Sequence, residues 1–154
     1  MKICERHSHL DALEKMEEKD GILEEIEEIL TDTSLYFGRN NPKEINVKIS
    51  GKFNSHGWAD RVRVGNSKLT ISFLKSKVGV CVQLGNVART YADILKLSQL
   101  GKKKVIDVGI IVVPDKVESR LLGANYARYD RLAKEIVHFA DIINTPILII
   151  GLSN

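Results

Sequence analysis

Lys77-Val78-Gly79-Val80-Cys81-Val82-Gln83-Leu84-Gly85-Asn86 is the stretch from which the rest of the chain can be read. Alternate residues of a strand share a face, so Val78, Val80 and Val82 point to one side as core while Cys81 and Gln83 share the other. The strand ends at Gly85-Asn86, and Asn86 is a favoured N-cap type, so a helix begins there. A helix N-terminus beside a strand end offers free N–H groups and a positive dipole, which together favour an anion such as phosphate. Arg89, in the first turn of that helix, would add a bidentate donor to the same anion. A capped, hydrogen-bonded strand end with no ligand accounts for Gln83 and Asn86 equally well.

Working outward, residues 58–64, 68–73 and 77–84 read as three strands separated by hairpin turns at Gly65-Asn66 and Lys75-Ser76-Lys77, an antiparallel segment. Upstream of them, Ile45, Val47 and Ile49 alternate with polar residues between the Asn40-Asn41-Pro42 turn and Gly51, the period of a half-buried strand. The chain opens with an alternating strand at Lys2 to His7, and Ser8 with Asp11 three residues later predicts a capped helix start. Leu10, Leu13 and Met16 then share one face. After Gly21 the set Ile22, Leu23, Ile26, Ile29 and Leu30 keeps helical spacing, which assigns Glu24, Glu25, Glu27 and Glu28 to the solvated side.

Downstream, Val87, Ile94, Leu95 and Leu97 with a stop at Gly101 describe a helix from Asn86 to about Leu100. The apolar run at 108–113, bounded by Pro114, fits a central strand. A helix over 124–143 and a strand at 147–150 complete the reading. Hairpins followed by strand, helix, strand, helix, strand predict one α/β domain over residues 1–154, a mixed sheet with helices packed on it.

With 154 residues, 44% hydrophobic and 28% charged, the chain is long enough to bury one substantial core. It has no apolar run near the roughly 20 residues of a bilayer crossing, and its start lacks the apolar stretch of a signal peptide, so no membrane partner and a cytoplasmic location are expected. Cys4 and Cys81 match no CxxC spacing and read as two reduced thiols. The net charge of +3 hides an asymmetry. Residues 1–33 carry 11 acids against 4 bases, and residues 34–154 carry 9 acids against 19 bases. Such a dipole suits a polyphosphate partner on the basic side, although two ordinary solvated surfaces would look the same.

The chain also resembles the BglII-type restriction endonucleases of the PD-(D/E)XK superfamily. The likeness runs from Met1-Lys2-Ile3 and Leu23-Glu24-Glu25-Ile26-Glu27-Glu28-Ile29-Leu30 through Ile71-Ser72-Phe73 and Val80-Cys81-Val82-Gln83-Leu84. It continues in Ile106-Asp107-Val108-Gly109-Ile110-Ile111-Val112 and Pro146-Ile147-Leu148-Ile149-Ile150-Gly151-Leu152. The resemblance implies a restriction-endonuclease-like fold, a homodimer around DNA, with the helices at 86–101 and 124–143 as candidate interface elements, and a site in the hairpin before the helix. There the family carries an Asp, nine residues later a Glu, then one residue and a Gln or Lys, the acids holding magnesium. Carried over, these positions are Ser72, Cys81 and Gln83, and only Gln83 agrees.

A neutral hydroxyl and a soft thiol are poor ligands for magnesium, so the expectation is a DNA-binding protein whose metal-dependent phosphodiester cleavage is lost or impaired. Arg61, Arg63, Asn86 and Arg89 are the candidate DNA contacts, and no cofactor is required in this reading. An alternative is an active, magnesium-dependent endonuclease whose displaced ligands are Asp60 or Asp93, or a glutamate of the first helix, although Asp60 also reads as a surface partner of Arg61 or Arg63. Another is a non-enzymatic dimeric assembly or regulatory subunit, suited by an end soon after the last strand where BglII-type enzymes continue. Cys81 as a nucleophile finds no histidine nearby in sequence; His7, His9, His56 and His138 show no paired ligand spacing.

Overall fold

In a computed structural model, which describes residues 1–154, the apolar run at 108–113 becomes the middle of a mixed sheet. Every residue of β5 (Val108–Pro114) is buried. It lies parallel between β4 (Val78–Val82) and β6 (Ile147–Ser153). Outside them β1 (Lys2–His9) pairs antiparallel with β6, while β3 (Thr70–Lys75) and β2 (Ala59–Arg63) continue antiparallel from β4. The order across the sheet is β1-β6-β5-β4-β3-β2. Parallel neighbours need long crossovers, and helices supply them: α4 (Ala88–Lys102) between β4 and β5, then α5 (Lys116–Leu122) and α6 (Tyr129–Glu135) between β5 and β6. Before β2 come α1 (Ala12–Glu17), α2 (Ile22–Leu30) and α3 (Pro42–Ser55).

Two apolar layers sandwich the sheet. On one face Met16, Ile26, Ile29, Ile45, Ile49 and Phe53 pack on Val78, Val80, Val108 and Ile110; on the other, Ile94, Leu97, Leu132 and Ile136 pack on Cys81, Ile111 and Ile149. Gly79 and Gly109 let α4 settle close, since a Cβ on either would press within about 3 Å of the Leu97 side chain. No helix is long and apolar enough to cross a membrane.

The segment read as a strand through Ile45, Val47 and Ile49 is a helix. Asn41 accepts from the Glu44 N–H while the Glu44 carboxylate accepts from the Asn41 N–H, a capping box completed by Pro42 in the first turn. The residues that are buried are Ile45, Ile49 and Phe53, four apart, whereas Val47 is 64% exposed. A set spaced by two contains a subset spaced by four, and the cap decides which period governs.

The single helix expected over 124–143 is also corrected. Helical structure starts at Tyr129 and passes at Ile136 into a short 3-10 turn ending at Phe139, and α5 occupies 116–122, which had no assignment. Gly123 separates α5 from α6 at φ 145°, where a side chain would strike the Tyr126 ring. The first helix starts later than Ser8: β1 runs on to His9, Leu10 and Asp11 take left-handed φ values, and the Ser8 hydroxyl accepts from the Leu13 N–H. Gly101 is not a stop either, since α4 continues to Lys102 and a Cβ at Gly101 would collide with Thr145. Leu95, counted with the apolar face of this helix, is 64% exposed.

Two of the four glutamates placed on the solvated face of α2 are engaged by other elements: Glu27 accepts from Arg6 Nε of β1 at 2.8 Å, and Glu25 is held more extensively. Glu25 accepts from Trp58 Nε1 at 2.5 Å and from Lys75 Nζ at 2.8 and 2.9 Å. Burial raises its carboxyl pKa, but the Lys75 and Trp58 hydrogen bonds outweigh this and hold it below the usual range. Phe53 stacks on Phe73 at 4.2 Å and meets Trp58 edge-on at 5.1 Å, which fixes α3 against β3.

The helix at 42–55 makes a prediction that a strand would not. Ile49→Ala should cost about 2–5 kcal/mol by opening a cavity, and Val47→Lys should change stability by no more than about 0.5 kcal/mol. Urea midpoints of the two variants check this; equal losses at 47 and 49 would restore the strand.

Candidate functional site

The strands that carry Ser72 and Cys81 separate where those residues lie. The β3–β4 register runs through Lys75↔Val78, Leu74↔Gly79 and Phe73↔Val80 and goes no further. In its place the Ser72 hydroxyl accepts from the Val82 N–H at 3.1 Å. Residues two apart on a regular strand share a face. Ile71, however, packs in the α4-side core and Phe73 in the opposite one, so β3 turns over at Ser72. On β2 the register likewise skips Arg61, which has a left-handed φ of 47°.

Beside this distortion, α4 supplies two charges. Asp93, 4% exposed, receives Gln83 Nε2 on Oδ2 at 2.8 Å and Lys96 Nζ on Oδ1 at 2.5 Å. The same ammonium donates to the Thr70 carbonyl at 2.7 Å. The other end of the Gln83 amide is used too, its Oε1 accepting from the Gly85 N–H at 3.1 Å. Cys81 lies buried behind these groups. Burial first, and then the charge of Asp93, push its thiol pKa far up, which keeps the proton on sulfur.

These side chains form the floor of a cleft of about 1090 Å³. Ser72, Gln83, Asp93 and Lys96 line it; Cys81 does not. Asp60 and Arg61 reach it from β2, with 3.8 Å between carboxylate and guanidinium and side chains 50% and 87% exposed, a solvated pair. Arg89 lines it from the first turn of α4. Arg63 is exposed outside the lining, and Asn86 is also outside it; its Oδ1 accepts from the Ala88 N–H, but α4 begins at Ala88 with Val87 at its N-cap position and no side-chain cap, so Asn86 is not the N-cap expected from the sequence. No Glu of α2 enters the lining.

The opposite wall was hidden by the strand reading of 42–55. Lys43, Asn46, Ser50 and Asn54 present the polar face of α3 to the cleft, and Lys68 adds a charge from the turn before β3. The Asn41-Pro42 start with Glu44 was the signal that could have found them. Five basic side chains, Lys43, Arg61, Lys68, Arg89 and Lys96, then face two acids, Asp60 and Asp93. Such a surface attracts a polyanion.

Magnesium needs several hard oxygen donors with uncompensated charge. Here the hydroxyl of Ser72 is neutral and engaged, the Cys81 thiol is soft and protonated, and the Asp93 carboxylate is already neutralised. No group of three or more His, Cys, Asp or Glu side chains is placed to hold a metal ion. This donor set does not fit a hydrated magnesium ion.

The family model for restriction endonucleases BglII/BglIII matches residues 4–152. The chain belongs to this family. Two solved BglII structures share its fold over 100% of the chain: BglII complexed with a DNA 16-mer, at TM-score 0.83 and 18% identity over 77% of that chain, and free BglII, at TM-score 0.75 and 22% identity over 80%. No curated protein matches the chain.

In this BglII-family member the two thiols should differ sharply towards a disulfide reagent. Cys4 is exposed and Cys81 is buried. One thiol per native chain is expected to react at pH 8, and two in guanidinium chloride. Equal rates for both in the native protein would mean that Cys81 is not sealed behind the cleft.

Proposed function

We propose that this BglII-family chain binds DNA in the cleft between α3 and α4, as a homodimer, and that its metal-dependent phosphodiester cleavage is lost or impaired. The observation that carries this reading is the cleft itself: five basic side chains surround a floor that includes Ser72, with Cys81 buried behind it, and these two stand at the positions to which the family resemblance assigns metal-binding acids. Phosphate contacts from flexible bases supply affinity without reading sequence. The polar side chains of α3 face the same space. BglII itself has been solved with a DNA 16-mer, which supports DNA as the occupant. We also place the protein in the cytoplasm, a reading supported by its two free thiols, which a reducing compartment preserves.

Fluorescence anisotropy with labelled duplex at several salt concentrations tests the first part. Arg61→Ala and Arg89→Ala should each weaken binding and lower the slope of log K against log salt by about 0.9, one phosphate contact each. Arg63→Ala, outside the cleft, should leave the slope alone. Absence of salt-sensitive binding in the parent protein would favour an assembly or regulatory subunit instead. A second reading, a nuclease with displaced ligands, is supported by the position of Asp60 and Asp93 in the cleft. Supercoiled plasmid with magnesium or manganese separates the two, because nicking abolished by Asp60→Ala or Asp93→Ala belongs only to the second.

The homodimer is supported by apolar side chains left in solvent on the α4 side. Leu95, Val137 and Ile142 are 64%, 50% and 72% exposed, and Tyr91 meets Phe139 edge-on beside them. Covering them is favourable at about 25 cal/mol per Å². Sedimentation velocity should show a dimer at micromolar concentration that Ile142→Glu converts to monomer; a monomeric parent protein would contradict this arrangement.

A further inference from the structure

We propose that Lys96 is a resident cation of the cleft: its ammonium does the electrostatic work of a divalent metal, neutralising Asp93 and meeting a DNA phosphate, so that DNA binding needs no metal. The inference rests on the reading that DNA occupies the cleft. Three observations carry it. Lys96 Nζ touches an Asp93 oxygen at 2.5 Å and the Thr70 carbonyl at 2.7 Å, a carboxylate and a carbonyl being the kinds of oxygen that hold hard cations. An ammonium has three donors, and these contacts use two of them. The Lys96 side chain is only 16% exposed yet lines the cleft, so it is held in place where a surface lysine would have to be ordered on binding.

The site is also balanced for one positive charge and no more. Asp93 is its buried acid, and Gln83 adds a neutral amide. With Lys96 present, a divalent ion would bring two further charges to a carboxylate already neutralised. Without Lys96, the Asp93 carboxylate and the Thr70 carbonyl would be left facing the cleft without a counterion, and a divalent ion could take the vacated place.

Manganese calorimetry without DNA, on the full chain, reads this directly. The parent protein should show no binding at millimolar manganese, and Lys96→Met should acquire it. In anisotropy, calcium should raise the DNA affinity of Lys96→Met about tenfold and leave the parent protein within about twofold of its affinity in chelator. Should the single variant fail to fold, the double variant Asp93→Asn with Lys96→Met leaves no unpaired buried charge. It should bind DNA about tenfold more weakly than the parent protein, with no rescue by calcium. Parental affinity in the double variant, manganese binding to the parent protein, or a folded Lys96→Met that ignores both metals would each overturn the proposal. If the parent protein shows no salt-sensitive DNA binding, the DNA reading fails by itself, and the manganese titration still decides what Lys96 replaces.

Discussion

A carboxylate that is 4% exposed has to be compensated within the protein, and the compensation of Asp93 organises this molecule's cleft. Removing one partner of such a pair typically costs about 3–5 kcal/mol, because the other charge stays buried and alone. Lys96 provides the opposite charge from one turn further along α4, and Gln83 provides a neutral hydrogen bond from the end of β4. The Thr70 carbonyl then ties the same ammonium to β3. Three consecutive elements, β3, β4 and α4, are thereby held together at the point where the β3–β4 pairing ends. The cleft exists because the strands part there, and the ion pair fills the opening with groups that satisfy one another.

The fold explains why this opening faces a basic surface. Parallel pairing of β4, β5 and β6 forces a helical crossover after β4, which brings the N-terminal turn of α4 and Arg89 beside the strand end. The antiparallel continuation through β3 and β2 carries Arg61 and Lys68 to the far side. Phe53, Phe73 and Trp58, with Glu25 bound by Trp58 and Lys75, lock α3 across the top. The acid-rich first 33 residues meanwhile stay out of the cleft, and none of their acids lines it.

Much of this was legible in the residues. Strand periodicity located the three hairpin strands, the fully apolar run located β5, and Gly21 located the start of α2. Alternation also separated Val78 and Val80 from Cys81 correctly, because burial on two faces leaves a period of two. What failed did so for identifiable reasons. Ile45, Val47 and Ile49 satisfy strand spacing, and only the capping box of Asn41 and Glu44 breaks the tie. The interval 116–143 contains a short helix, a glycine break, a second short helix and a 3-10 turn, which a single apolar period cannot resolve. Lys96 was invisible as a site residue because its importance comes from Thr70, 26 residues away, and from a strand distortion that no local pattern announces.

In the proposed arrangement the ammonium of Lys96, and no metal ion, neutralises the cleft floor. Anomalous diffraction from crystals soaked in manganese chloride addresses that claim most directly. It predicts density joining Lys96 to Asp93 and no anomalous peak among Ser72, Gln83 and Asp93. A manganese peak bound to Asp93, with the Lys96 side chain swung away, would contradict it.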